Sequence, residues 1–253
     1  MHLKNSYNNK KKVLNIIALI PAREGSRRIR HKNILDINGK PLLAYAIKSA
    51  QNAKIFSDIV VSTDSKKYAK IATKYGANVP FLRPKKISKS KSSDYEWVKY
   101  TLDKLNILGH EYSHFAIIRP TSPFRTSKLI VKAWKIYRKS KKAESLRAVS
   151  LCKEHPGKMW QIKGNFLKPF TNQKYLGQPS FNSQYASLPL IYTQNASLEI
   201  SKVKVLTKYK TITGKKIMPF ISDGYEGFDI NYDEDIETAR NLVKKNLAKL
   251  EKF

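Results

Sequence analysis

Apolar residues along the chain follow two alternating patterns. Short unbroken runs of branched residues, as at 16–20, 59–61 and 115–118, suit strands buried on both faces. Between these runs, apolar residues recur at helical spacing: Leu42, Leu43, Ala46, Ile47 and Ala50 in one segment, Trp97, Val98, Leu102 and Leu105 in another. The pattern predicts strands over 12–20, 58–64, 114–118, 146–151 and 190–193. It predicts helices over 41–53, 66–75, 93–105, 129–137 and 233–250. Pro41 suits the first turn of its helix, Gly76 a helix stop and Asp233 a helix cap, with lysines in the last turn of that final helix. Residues 211–221 read as extended and 201–206 as ambiguous. Residues 159–185 show little periodicity, and an irregular stretch of that length serves a site or an interface.

Strands alternating with helices at this spacing argue for an α/β fold with a doubly wound, mostly parallel sheet. Ligands of such sheets sit beyond the carboxyl ends of the strands. Three polar turns fall there: 22–33 after the first strand, Ser62 to Asp64 after the second, and the Pro-flanked turn Arg119 to Arg125 after the third. The first turn carries Arg23, Arg27, Arg28, Arg30 and Lys32 against a single acid, Glu24. A buried strand, a basic Gly/Ser loop and a helix make a place for a polyphosphate, held by backbone N–H groups and guanidinium forks. The loop is neither a Walker A loop nor a G-x-G-x-x-G dinucleotide loop.

Length and composition narrow the picture. The 253 residues fit one large domain that buries a core without staples. One cysteine, Cys152, excludes an internal disulfide and reads as a buried strand residue; a reducing, cytoplasmic compartment is the default expectation. No apolar run reaches membrane-spanning length, and residues 1–12 read as a basic flexible tail. Lys and Arg number 49 against 19 Asp and Glu, a formal charge of +30. The lysines are spread over the chain, as a G- and C-poor coding sequence gives, whereas a nucleic-acid binder gathers them in a stripe. A nucleic-acid partner is therefore not expected.

The basic loop, read as R-x-G-S-R-x-I-x-x-K-N from Arg23 to Asn33, resembles the signature of the acylneuraminate (CMP-sialic acid synthetase-like) cytidylyltransferases. Further pieces of that family's pattern follow in its order. They are Gly39-Lys40-Pro41-Leu42, Val61-Ser62-Thr63-Asp64-Ser65, Phe81-Leu82-Arg83-Pro84, Pro120-Thr121-Ser122-Pro123-Phe124-Arg125 and Gly227-Phe228-Asp229-Ile230-Asn231. The ordered set runs from about 14 to 240.

The resemblance implies transfer of a cytidylyl group from CTP to the anomeric hydroxyl of a nonulosonic acid of the sialic, legionaminic or pseudaminic type, with pyrophosphate released. It implies Arg23, Lys32 and Asp229 as catalytic residues. The nucleotide falls to Ala22, Arg23, Gly25, Ser26, Arg27, Lys32, Asn33, Arg83 and Ser93, with backbone donors from Gly25 and Ser26. The acid sugar falls to Arg119, Thr121, Ser122, Arg125 and Asn195. It also implies Mg2+ on Asp229 and Asn231, which takes few protein ligands and keeps several waters. Residues 13–253 then form a single nucleotidyltransferase domain. A dimerisation and substrate arm at about 153–188, opening at His155-Pro156, makes a homodimer. The chain departs from the pattern at Arg27, where Lys is usual, at Arg119, where Gln is frequent, and at Asn231, where a second metal carboxylate belongs. Asn231 brings a carbonyl oxygen but no charge. A 3-deoxy-octulosonate cytidylyltransferase and a catalytically weakened sugar-nucleotide-binding homologue are the alternative readings.

Overall fold

The computed structural model describes residues 15–26 and 28–253; Arg27 and the tail 1–12 lie outside them. In chain order, β1 (Ile16–Pro21) leads through the basic loop and a small β2–β3 ribbon (Asp36–Ile37, Lys40–Pro41) into α1 (Leu42–Ala53). Then come β4 (Asp58–Ser62), α2 (Lys66–Lys74), α3 (Asp94–Ile107), β5 (His114–Ile117), α4 (Ser127–Lys139) and β6 (Ser145–Leu151). Two short hairpins, β7–β8 (Trp160–Lys163, Phe166–Pro169) and β9–β10 (Lys174–Tyr175, Gln178–Pro179), precede β11 (Tyr192–Lys202). The chain closes with α5 (Lys204–Tyr209), β12 (Ile217–Ile221) and α6 (Asp233–Lys244).

Six strands form the central sheet in the order β12-β6-β11-β5-β1-β4. β1 pairs in parallel with both β4 and β5, and β12 in parallel with β6; β11 runs antiparallel to β5 and β6. The sheet is thus mostly parallel, as the alternating pattern predicts. The period-2 rule then sorts β1 between two cores. Ile16, Ala18 and Ile20 pack with Leu43 and Ile47 of α1, Tyr68 of α2 and Ile130 of α4. Ile17 and Leu19 face Trp97, Val98 and Leu102 of α3 and Leu206 of α5. A third cluster seats α6, through Ile236, Ala239 and Leu242, on Ile37, Leu42 and Phe124.

The antiparallel strand has a topological cause. β6 ends at Leu151 on the carboxyl edge, and its register partner there is Tyr192, the first residue of β11. The segment between them leaves the sheet and re-enters at the same edge, so β11 has to run backwards. The two hairpins are therefore inserted at the carboxyl edge of the sheet. They also correct the expectation of an irregular stretch.

Other boundaries shift for local reasons. The predicted strand 190–193 is the start of an eleven-residue strand, interrupted by a register shift between Gln194 and Glu199. α6 ends at Lys244 rather than 250. Its cap is Tyr232 rather than Asp233, because the Asp235 carboxylate takes the Asn231 and Tyr232 N–H groups at 2.7 and 2.8 Å. Cys152 lies one residue beyond β6, half-buried, with its thiol donating to the Glu154 carbonyl at 2.9 Å.

His114, at the start of β5, is buried against the edges of Trp134 and Tyr137. Burial, aided by Lys202, pushes its pKa down to about 4, below the value near 6.5 of an unfolded chain. Between those values the unfolded chain takes up a proton that the folded one refuses. Stability is therefore expected to be intact above pH 6.5 and to fall by about 2–3 kcal/mol as pH drops toward 4. Urea midpoints across this range, flattened in His114→Phe, check it.

Candidate active site

Three loops meet at the carboxyl edge beside the segment that enters α6. The β1 loop is closed on itself, since the Asn33 amide donates to the Arg23 carbonyl at 3.0 Å. It is anchored to the β4 turn by the Glu24 N–H on the Asp64 carboxylate at 2.9 Å. His31, in the left-handed region at φ 56°, lies against the Tyr68 hydroxyl at 3.1 Å.

The loop also reaches far along the sequence. Lys32 Nζ donates to the Ile230 carbonyl at 2.7 Å, and Arg28 donates to Asn231 Oδ1 at 3.1 Å. Ile230 in turn donates its N–H to the Thr121 carbonyl at 2.9 Å, which joins the third loop to the same segment. Burial pushes the Lys32 pKa down, opposed by the Asp229 carboxylate. The Asn231 amide donates to Asp229 Oδ2 at 2.7 Å. Two polar atoms at this junction are buried without a partner among the described residues: Arg23 Nη1 and Asp229 Oδ1. Unsatisfied charged atoms of opposite sign beside one ammonium mark a place where a ligand completes the bonding.

Two cavities open here. The first, about 470 Å³, has Arg23, Ser26, Arg28, Lys32, Asn33 and Arg83 in its wall, with Trp97 and Lys89. Its charged lining is six cations against the single carboxylate of Asp94, a balance that suits a polyphosphate. Arg83 is 5% exposed, donates to the Ser62 hydroxyl at 3.1 Å and lies over the Trp97 ring at 5.0 Å. Burial pushes its pKa down to about 10. The second cavity, about 870 Å³, is lined by Arg147, Glu199, Gln194, Leu151, Tyr225 and Phe228, together with Asp229 and Asn231. Asp94 and Arg119 line both cavities and mark their junction.

Of the residues singled out from the sequence, Arg23, Ser26, Lys32, Asn33, Arg83, Arg119 and Thr121 line the first cavity. Asn195, Asp229 and Asn231 line the second. Others are placed differently. Ala22 is wholly buried and its N–H is used by the Ser62 carbonyl at 3.0 Å. Gly25 is exposed with open space around it, and the Ser26 N–H is spent on the Glu24 carbonyl at 2.8 Å. Ser93 caps α3 in a reciprocal box with Glu96, leaving its neighbours Ser92 and Asp94 on the cavity wall. Asn195 is a turn clamp: its amide donates to Ser150 and Ser222, and its carbonyl accepts from Ser197.

Ser122 and Arg125, expected as sugar contacts, line neither cavity. Both are 1% exposed, and the Arg125 guanidinium donates to the Arg119 and Ser197 carbonyls at 2.8 and 3.1 Å. Arg119 is not free either. It forms a two-pronged bond with Asp94 at 2.7 and 3.3 Å and a further one with Glu199 at 2.6 Å. Sequence reasoning missed Lys89, Asp94, Arg147 and Glu199, and read Arg28 only as part of the basic loop. Only the crowding of positive charge around Arg28 offered a local signal.

The fit to a divalent metal rests on Asp229 Oδ1, the orphaned carboxylate oxygen. Among the described residues no group of three or more His, Cys, Asp or Glu gathers to hold an ion. A single carboxylate suits a hydrated cation that takes its other oxygens from phosphates and water. Asn231 does not stand ready as a second ligand, because its carbonyl is engaged by Arg28.

Comparison with known proteins gives the family. The cytidylyltransferase family model matches residues 17–250. An N-acylneuraminate cytidylyltransferase of Escherichia coli O18:K1:H7 is 33% identical over 94% of the chain, which spans about half, 54%, of that relative's length. A CMP-N,N'-diacetyllegionaminic acid synthase of Legionella pneumophila is 31% identical over 92% of the chain and 98% of its own length. A CMP:2-keto-3-deoxy-manno-octonic acid synthetase complexed with CTP superposes with a TM-score of 0.66 over 92% of this chain and 99% of that one. At 14% identity, that likeness shows the fold alone. With a family model matched from the first strand to the C-terminal region, the chain belongs to the cytidylyltransferase family and is a nucleotidyltransferase.

Proposed function

We propose that the protein transfers a cytidylyl group from CTP to the anomeric hydroxyl of an acidic nonulosonic keto-sugar. The observation that carries this reading is the junction itself. A cationic cavity and a larger mixed one meet at Asp94 and Arg119, and Lys32 of the first bonds to Ile230, the neighbour of Asp229 in the second, one of whose carboxylate oxygens is unpartnered. The relatives' named acceptors, neuraminic and legionaminic acids, support this substrate class.

In this reading Arg23, Lys32 and Arg28 hold the triphosphate in the first cavity, and Arg83 and Asn33 face the nucleoside. The acceptor occupies the second cavity with its anomeric hydroxyl at the junction. The hydroxyl oxygen bonds to the α-phosphorus, the bond to the bridging oxygen breaks, pyrophosphate leaves and the hydroxyl proton passes to solvent. The chain's work is alignment and neutralisation of charge. Asp229 would hold Mg2+, which when bound supplies further neutralisation of the phosphates. Asn231 tethers one Asp229 oxygen and Arg28 together, so that the other oxygen stays directed at the ligand.

Pyrophosphate release from CTP with a panel of acid keto-sugars tests the reading; binding of CTP with no release in any arm identifies a nucleotide-binding homologue instead. Asn231→Asp is expected to tighten metal binding about tenfold, since a second carboxylate joins the first. Mn2+ titrated by electron paramagnetic resonance checks that without turnover. We also propose a homodimer through the 153–188 arm, supported by the exposed Ile162, Phe166, Leu167 and Leu176 of its hairpins.

A further inference from the structure

Between the two cavities runs a chain of four charged side chains drawn from four parts of the fold. Asp94 opens α3, Arg119 follows β5, Glu199 lies on β11 and Arg147 on β6. Glu199 and Arg147 are register partners across β6 and β11, just past the irregularity that follows Gln194. Glu199 is 7% exposed, and each of its oxygens has one guanidinium: Arg119 at 2.6 Å and Arg147 at 3.0 Å. Arg147 is fixed from behind by the Thr213 hydroxyl, at 2.6 and 3.1 Å, and by the Gln194 amide oxygen at 3.1 Å.

The charges along this chain decide what the junction admits. Arg119 lies between two carboxylates, Asp94 and Glu199, and that trio alone carries one net negative charge. In a 2-keto sugar acid the carboxylate sits on the same carbon as the attacking hydroxyl. An acceptor whose hydroxyl reaches the junction therefore brings its carboxylate to the junction too, beside Arg119. A net negative trio repels it. Arg147 restores neutrality.

We propose that Arg147 is a positioning residue for the acceptor: through Glu199 it offsets one of the two carboxylates on Arg119, and so keeps the junction open to an anionic sugar. The inference rests on the acid-sugar reading above. Losing one positive charge about 8 Å from the acceptor carboxylate, at the effective dielectric of a partly buried site, corresponds to about a 30-fold loss of affinity.

Charge and packing are separable by compensation. Steady-state constants are measured for wild type, Arg147→Met, Arg147→Lys, Glu199→Gln and the double variant Arg147→Met/Glu199→Gln, with the acid keto-sugar that the wild type uses. Melting temperature and CTP affinity serve as folding controls. Arg147→Met is expected to raise the acceptor KM about 30-fold and to move the CTP KM less than about twofold. Arg147→Lys keeps the charge and stays within about fivefold of wild type. Removal of the Glu199 charge from the Arg147→Met variant brings the acceptor KM back to within about threefold of wild type. An acceptor KM unmoved in Arg147→Met overturns the proposal, as does a double variant no better than the single one. Should Arg147→Met fail to fold, Glu199→Gln alone decides: a lowered acceptor KM supports the proposal, and a raised one contradicts it. Wild-type protein that binds CTP but releases pyrophosphate with no acid sugar overturns the parent reading, and with it the role given to Arg147.

Discussion

Replacing Lys32 by methionine is expected to lower kcat by about 10³-fold, some 4 kcal/mol of transition-state stabilisation, with CTP still bound. The ammonium holds two positions at once. It bonds to the Ile230 carbonyl at 2.7 Å, which fixes the basic loop on the segment bearing Asp229. It also lines the cationic cavity, where the proposed reaction builds negative charge on the leaving pyrophosphate. Methionine keeps the length and the apolar stem and removes the charge and the tether together. Lys32→Arg separates these roles. It restores charge without the compact ammonium, and a recovery of only about tenfold is expected because a planar fork does not fit the one-carbonyl contact. Burial also pushes the Lys32 pKa below the ordinary lysine range, so the charged form is lost earlier as pH rises. The alkaline fall in kcat should then move upward in Lys32→Arg. Single-turnover rates at saturating CTP across the alkaline range check both points. An unchanged kcat in Lys32→Met removes the ammonium from the chemistry.

The second large effect falls on stability. Arg125→Ala is expected to cost about 3 kcal/mol, and in a chain of this size that lowers the melting temperature by about 10 °C. The guanidinium is 1% exposed and supplies donors to two loop carbonyls, of Arg119 and Ser197. Its loss leaves both without those bonds and opens a cavity beside Ser49. Activity per folded molecule should fall less than about tenfold, against the far larger loss for Lys32→Met. A melting curve together with active-site titration distinguishes the two. A variant with wild-type stability and a raised acceptor KM would return Arg125 to the sugar site.

These two residues also show what the sequence makes legible. The sheet is plain from its branched runs, because a strand buried on both faces has few other solutions. The basic loop, the β4 turn and the Arg119 turn are placed at one edge by topology alone, since parallel strands align their carboxyl ends. Arg125 is harder. It follows Arg119 in a Pro-flanked turn that reads as surface, and nothing local tells a guanidinium aimed at solvent from one turned under the loop to satisfy carbonyls.

The pairing of Arg119 with Glu199 crosses 80 residues, and the partnership of Lys32 with Ile230 crosses 198. Such contacts follow from strand order, and strand order depends on the one antiparallel strand that local periodicity does not reveal. Asn231 is the mixed case. Its identity as a departure is visible in the sequence, but its work as a clamp between Arg28 and Asp229 appears only when the loop is folded against it.

The central claim is that the basic loop and Asp229 enclose the α-phosphorus of CTP while an acid sugar attacks from the second cavity. CTP labelled at the α-phosphorus tests it most directly, in a reaction with the acid keto-sugar and Mg2+. The label is expected to leave the nucleoside triphosphate and appear in a sugar-linked CMP, in amounts equal to the pyrophosphate formed. Label recovered only as free CMP, or an unlabelled phosphate released from the γ-position with the sugar unchanged, would contradict it.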